Sequence, residues 1–190
     1  MSRDRSTTER VANIEPRRIE GHFLRHAAPG RDAFAGGYDG RWGAGFRVIY
    51  LGRPVDSCIE EAYRHLVDDT GVPARLVKSR TLYEVDIAID DVLDLRTEEA
   101  QAAVGLRPAD LRSPVGDYAA CQRVAAAAHQ LELHGILAPA ATGLGETLAV
   151  FRERVGPGEM PAEVNRWHWE ELPQRPGTER PRLRAVPDPS

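Results

Sequence analysis

A chain of 190 residues with 29 acidic against 25 basic side chains, net −4, lacks the basic surplus of a nucleic-acid footprint. Its length suits one domain. No apolar run is long enough to span a bilayer, and the polar start MSRDRSTTER is no secretory signal, so the sequence predicts a cytoplasmic protein without a membrane segment. Residues 1–18 are polar and read as a flexible lead-in. From Gly21 to Gly45 the chain is rich in Gly, His and Arg without a sustained period, which predicts a loop-rich region of the kind that carries function. The run RVIYL, 47–51, predicts a buried strand. Pro54 then opens a helix capped by Asp56 or Ser57, with Ile59, Ala62, Tyr63, Leu66 and Val67 on its buried face, ending at Gly71 and Pro73.

The alternation in LYEVDIAI, 82–89, predicts a half-buried strand, and Thr97 caps a short helix with Glu98 and Glu99 in its first turn. Asp117 caps a longer helix that buries Cys121, Val124, Ala125, Ala128 and Leu131, with Gly135 just past its end. Residues 136–138 and 147–151 read as two strands joined by a glycine-bearing turn. A brief helix over 162–172 docks through Trp167 and Trp169, and 173–190 read as a disordered, proline-rich tail. The order predicts a compact α+β domain over 19–172, with a small mixed sheet flanked by helices. Neither GxGxxG nor GxxxxGK[ST] is present. Cys58 and Cys121 sit in apolar-periodic segments and predict buried free thiols.

Candidate chemistry concentrates near the first strand. Arg25-His26, Arg31-Asp32 and Arg41-Trp42 fall within one loop region, where convergent guanidinium forks would suit a diphosphate. The stretch GGYDGRWGAGFRVIYLG surrounds Arg41 with glycines that let backbone amides approach the same anion. A solvated arginine-rich loop is the alternative. Glu60 and Glu61 lie early in the following helix, where a carboxylate either stabilises a cation or merely complements the helix dipole. Tyr50 lies on the strand itself. No histidine pair has metal spacing, and no GxSxG accompanies the six serines, so the sequence predicts neither a metal nor a serine triad.

The ordered set LRHAAPGRDAF, GRW, RVIYLG, CIEEAYRHL, DYAACQ and GILAPAATGLGETLAVF, spanning about 22–152, resembles the RES-domain family, toxins of Xre–RES toxin–antitoxin modules. The resemblance implies an ADP-ribosyltransferase-like fold and an enzyme that consumes NAD+ by cleaving the nicotinamide–ribose bond. Water, phosphate or a protein side chain would accept the ADP-ribose. It assigns Arg25 to the family arginine, with His26 beside it, Arg41 to the arginine of the family's GRW, Tyr50 to the strand tyrosine, and Glu61, with Glu60 as fallback, to the family glutamate. Arg25, Arg41 and, more weakly, Arg31 would bind diphosphate. Tyr50 or Trp42 would wall a flat ring, and Glu61 would stabilise an oxocarbenium-like state.

The family serine is missing. Ala140, in the segment Pro139-Ala140-Ala141, and Ala119 or Ala120, beside the Cys-Gln of the long helix, occupy the two places where relatives carry it. Thr142 is a substitute hydroxyl, and the departure leaves open a protein ADP-ribosyltransferase or an inactive NAD-binding module. The implied partner is an Xre-like antitoxin that covers the pocket.

Overall fold

The computed structural model describes residues 6–177. Helix α1 (Thr7–Ala12) leads into strand β1 (Arg17–Ala27), followed by β2 (Val48–Arg53), α2 (Val55–Tyr63), β3 (Arg80–Asp94), α3 (Glu98–Ala103), α4 (Pro108–Leu111), α5 (Ala119–Gln130), β4 (Gly135–Pro139), β5 (Glu146–Phe151) and β6 (Ala162–Trp169). The α+β class follows from this order: one mixed sheet with helices beside it.

The sheet nearly closes on itself. Its order is β1-β2-β5-β4-β3-β6, and β1 also pairs with β3. β3 makes this possible by its length. It runs antiparallel to β1 from Thr81 to Val92 and then parallel to β4 from Val92 to Asp94, while Leu24↔Gly52 joins β1 to β2. Two apolar clusters result, one on each face, because side chains alternate along a strand. Ile49 and Leu51 of β2 join Phe23, Ile87, Leu137 and Leu148 in one. Val48 joins Ile136, Ala149 and Phe151 in the other, where Cys121, Val124, Ala125 and Ala128 of α5 close over them. The alanines allow the helix to lie close to the strands. Both cysteines are free and buried, as expected; burial pushes the Cys58 thiol up to about 12 and the Cys121 thiol to about 11.

Several expectations change. The polar lead-in is folded from Thr7, where Ser6 and Glu9 form a reciprocal capping box and Val11 is buried in the α5 cluster. The loop expected from Gly21 is for its first part strand β1. The inward row Ile19, Gly21, Phe23, Arg25, Ala27 is interrupted by a glycine and an arginine, which erases the alternation a strand normally displays. The helix expected over 162–172 is strand β6. Its Trp167 and Trp169 pair with Leu82 and Arg80 of β3, because hydrogen bonding to that long edge outweighs the local helical pattern.

Helix starts also differ. Pro54 rather than Asp56 or Ser57 occupies the cap of α2, and Tyr118 rather than Asp117 that of α5. Gly135 begins β4 and does not close a helix. A Cβ there would lie 2.5 Å from the Ala149 carbonyl oxygen, so glycine permits the close β4–β5 approach. Of the expected tail, Pro173 and Arg175 pack on α2, and 178–190 lie outside the described residues.

Candidate active site

A cleft of ≈ 320 Å³ opens between the end of β1, the middle of β2, α2 and the loop at Gly40–Trp42. Its walls bring together Arg25, His26, Arg41, Tyr50 and Glu61, five of the residues singled out in the sequence. Arg31, Ala119 and Ala140 are not among the walls. Arg31 is exposed in the turn after β1, Ala119 is exposed at the start of α5, and Ala140 is buried at 2 % exposure while its neighbours Pro139 and Ala141 line the cleft.

Arg25 reaches the cleft because it stands two residues beyond Phe23, on the same side of β1. Its Nη1 donates to the Tyr50 carbonyl at 2.8 Å, while its Nε is buried without a protein partner. Burial and the neighbouring charge of Arg80 lower its pKa. His26 accepts at Nδ1 from Arg80 Nη2 at 3.1 Å and stacks on Trp169. Burial, reinforced by Arg80 and Arg25, pushes the imidazole down to about 3, so it is neutral at physiological pH. With Nδ1 accepting, the proton of the neutral ring sits on Nε2.

The glycine-rich loop is tied down by hydrogen bonds to β2 and α5. The Trp42 N–H donates to the Tyr50 hydroxyl at 2.9 Å, and Gln122 of α5 donates to the Gly40 carbonyl at 3.2 Å. Gly40 sits at φ +112°, and a Cβ would fall 2.7 Å from the Tyr50 hydroxyl oxygen, so only glycine fits. Arg41 is largely committed to the protein. Its Nη1 donates to the Asp110 carbonyl and the Ser113 hydroxyl, its Nη2 to the Ser113 carbonyl, each at 2.9 Å, and its guanidinium lies 4.5 Å over the Tyr118 ring. Trp42 is buried in the α5 cluster, leaving Tyr50 and Tyr118 as the more accessible aromatic walls. Burial raises the Tyr50 phenol well above its usual range, so it stays protonated.

The two adjacent glutamates part company. Glu60 turns toward the chain after β6, where Arg175 Nε donates to it at 3.0 Å while the two Arg175 Nη atoms donate to Asp68. Glu61 turns into the cleft and meets His65 Nε2 at 3.1 Å. It is the one carboxylate among the lining residues, which also include Arg25, Arg41, Arg64 and Arg80.

Arg64, His65, Arg80, Tyr118 and Ser57 also line the cleft without being among the sequence candidates. Ser57 is fully buried in the wall, and its Oγ has no protein partner. One signal was available. Ser57, Glu61 and His65 recur every four residues and therefore share a helix face. Arg80 had no such signal, since β3 carries it to His26 across the sheet. Thr142, the substitute hydroxyl, accepts from Leu144 N–H within its own turn, whereas Thr147 lines the cleft. Among the described residues no group of three His, Cys, Asp or Glu side chains could hold a metal ion, and no helix is long and apolar enough to cross a membrane.

Comparison with known proteins decides the family. The RES domain model matches residues 15–171. The chain belongs to the RES domain family. This RES domain is 33% identical over 143 residues to the NAD(+) phosphorylase MbcT of Mycobacterium tuberculosis and to that of Mycobacterium bovis, covering 72% of this chain and 76% of each relative. It is also similar to the crystal structure of the M. tuberculosis MbcT–MbcA toxin–antitoxin complex. There the TM-score is 0.74 at 28% identity, over 87% of this chain and 92% of the matched one.

Proposed function

We propose that this RES domain is a toxin that depletes NAD+, transferring its ADP-ribose to phosphate. The observation that carries the reading is the placement of one carboxylate, Glu61, among four guanidiniums in a single cleft, in a chain related to an NAD(+) phosphorylase. NAD+ has a cationic nicotinamide ring and an anionic diphosphate, and the cleft offers the opposite charge to each. Arg25, with an unsatisfied buried Nε, is the principal diphosphate donor. Arg41 contributes through the donors that its bonds to the Asp110–Ser113 loop leave over. Tyr50 and Tyr118 wall the flat ring, and Arg64 and Arg80 supply charge for the attacking phosphate.

In the reaction, the C–N bond between ribose and nicotinamide breaks with its electron pair going to the ring nitrogen. The pyridinium leaves neutral and needs no general acid. Glu61 stabilises the positive charge that develops on the ribose, and a phosphate oxygen forms the new bond to the same carbon. His26, neutral with its proton on Nε2, serves as a donor to substrate oxygen rather than as a charge. The fold is read as ADP-ribosyltransferase-like, the protein as cytoplasmic, and its partner as an antitoxin that covers the cleft; the solved structure it resembles is a toxin–antitoxin complex. The family serine has no counterpart at Ala119 or Ala140. Ser57 and Thr147 are the hydroxyls in the wall.

Incubating purified protein with NAD+, with and without inorganic phosphate, and separating the products by chromatography tests the reading. Phosphate-dependent release of nicotinamide together with ADP-ribose phosphate is expected. Free ADP-ribose formed equally well without phosphate would make the protein a hydrolase. In lysate supplied with NAD+ labelled in its ADP-ribose part, label retained on a protein would make it an ADP-ribosyltransferase, and binding without turnover would make it an inactive NAD-binding module.

A further inference from the structure

One row of side chains is not absorbed by the reading above. Helix α2 runs at Tyr63 directly into a separate π-helical turn over Arg64–Asp68, closed by Asp69 N–H donating to the Arg64 carbonyl at 2.9 Å. In an α-helix, residues four apart drift slowly around the cylinder; the wider π turn drifts the other way. Glu61, His65 and Asp69 therefore stay in line. His65 lies between the two acids, with Nε2 at 3.1 Å from Glu61 Oε2 and Nδ1 at 3.2 Å from Asp69 Oδ2. Each ring nitrogen faces a different carboxylate, so the three groups form a row rather than converge on a point.

We propose that His65 is a positioning residue for Glu61: held at its far nitrogen by Asp69, it orients the Glu61 carboxylate in the cleft, and its loss of a proton releases that grip. The inference rests on the reading of Glu61 as the residue that stabilises the transition state. Carboxylates only accept hydrogen bonds, so a ring that bonds both must donate from both nitrogens, which only the protonated imidazole does. The hydrogen bond to Glu61 raises the His65 pKa above its ordinary value against partial burial, with the Glu61 charge adding to it, Arg64 opposing and Asp69 contributing. His65 in turn lowers the pKa of His26 on β1, itself neutral, and the guanidiniums of Arg25, Arg64 and Arg80 line the same cleft. On the outer side Asp68 is taken up by Arg175. A raised value means the doubly bonded row is complete at low pH and is lost as pH rises through the His65 pKa. Activity should therefore carry an alkaline limb that belongs to a residue outside the chemistry.

The test is the pH profile of nicotinamide release, with kcat and KM separated, for wild type, His65→Ala, His65→Gln and Asp69→Asn. His65→Ala should lower kcat by about ten- to a hundredfold with KM changed far less, the penalty of a misplaced catalytic group, and should lose the alkaline limb. His65→Gln still offers an amide donor to Glu61 but does not titrate, so it should recover part of kcat and lack the limb. Asp69→Asn removes a charge outside the cleft wall and should move the limb to lower pH, with the His65 imidazole titration followed by NMR moving the same way. A merely structural histidine would shift its own titration in Asp69→Asn but leave the activity limb in place, and phosphate titration is common to all four proteins. Should His65→Ala fail to fold, the Gln and Asn variants carry the test. Wild-type protein that releases no nicotinamide at any pH overturns the reading of the cleft. Wild-type turnover with variant profiles superimposable on it overturns the role of His65 alone.

Discussion

Glu60 and Glu61 are neighbours in the chain, but the helix turns them to opposite surroundings, one into the grip of Arg175 and the other into the cleft. Their substitutions should therefore separate cleanly. Glu61→Gln, by removing the charge opposite a developing cation, is expected to lower kcat by about 10²–10³. Glu60→Gln should leave kcat within about threefold and lower stability by ~1 kcal/mol at most, the scale of a partly exposed ion pair; steady-state kinetics and urea melts check both. His26 gives a second signature, in stability. Unfolded, it takes up a proton near its ordinary value of about 6.5, whereas folded it resists until about 3. Between these values the unfolded state binds more protons, so stability falls as pH drops through that window. Urea unfolding at pH 7 and 4.5 should show a loss smaller by about 2 kcal/mol in His26→Asn, which keeps an acceptor for Arg80 but does not titrate in this range.

Among the elements, α2 contributes Ser57, Cys58 and Glu61 to the cleft wall and is held from both sides. Its inner face packs at Ile59 and Ala62. Its outer face is strapped by the chain after β6, where Arg175 bonds Glu60 and Asp68, lies 5.2 Å from the Tyr63 ring centroid, and Tyr63 donates to the Pro173 carbonyl. Arg175→Ala should lower the thermal midpoint by about 2–4 °C, corresponding to ~1 kcal/mol in a chain of this size, as read by calorimetry. β1 illustrates how a cleft at its end disguises an element. Gly21 and Arg25 occupy inward positions that a purely structural strand would fill with aliphatics, and Arg25 lines the cleft at that end of the strand. Local rules fail where a site is built.

For the whole molecule, the near-closed sheet couples the two apolar clusters. β2, β4 and β5 each send alternate side chains to both faces: Ile49 and Leu51 to one, Val48 to the other, with Leu137 and Ile136 divided the same way. Neither cluster can be lost while the other persists. Leu148→Ala, at a fully buried position, should cost about 2–5 kcal/mol and lower the midpoint by roughly 5–15 °C, still in a single transition by calorimetry and circular dichroism. A separate early transition for the α5 face would contradict the coupling.

The sequence by itself determined what depends on neighbours along the chain. RVIYL as a strand, Thr97 as a helix cap, the alanine-lined α5 and the β4–β5 pair all follow from periodicity and capping over a few residues. Arg25, Arg41, Tyr50 and Glu61 were legible as candidates because their order along the chain resembles a family, not because spacing placed them together. Tertiary structure decided the rest. It turned 162–169 into a strand, because β3 offered an edge that outweighs local preference. It chose Glu61 over Glu60 for the cleft, and it spent most of Arg41 on the Asp110–Ser113 loop. It brought Arg80 to His26 and left Ser57 Oγ buried in the cleft wall. Each of these depends on partners tens of residues away, whose approach is fixed by sheet pairing and burial rather than by anything encoded locally.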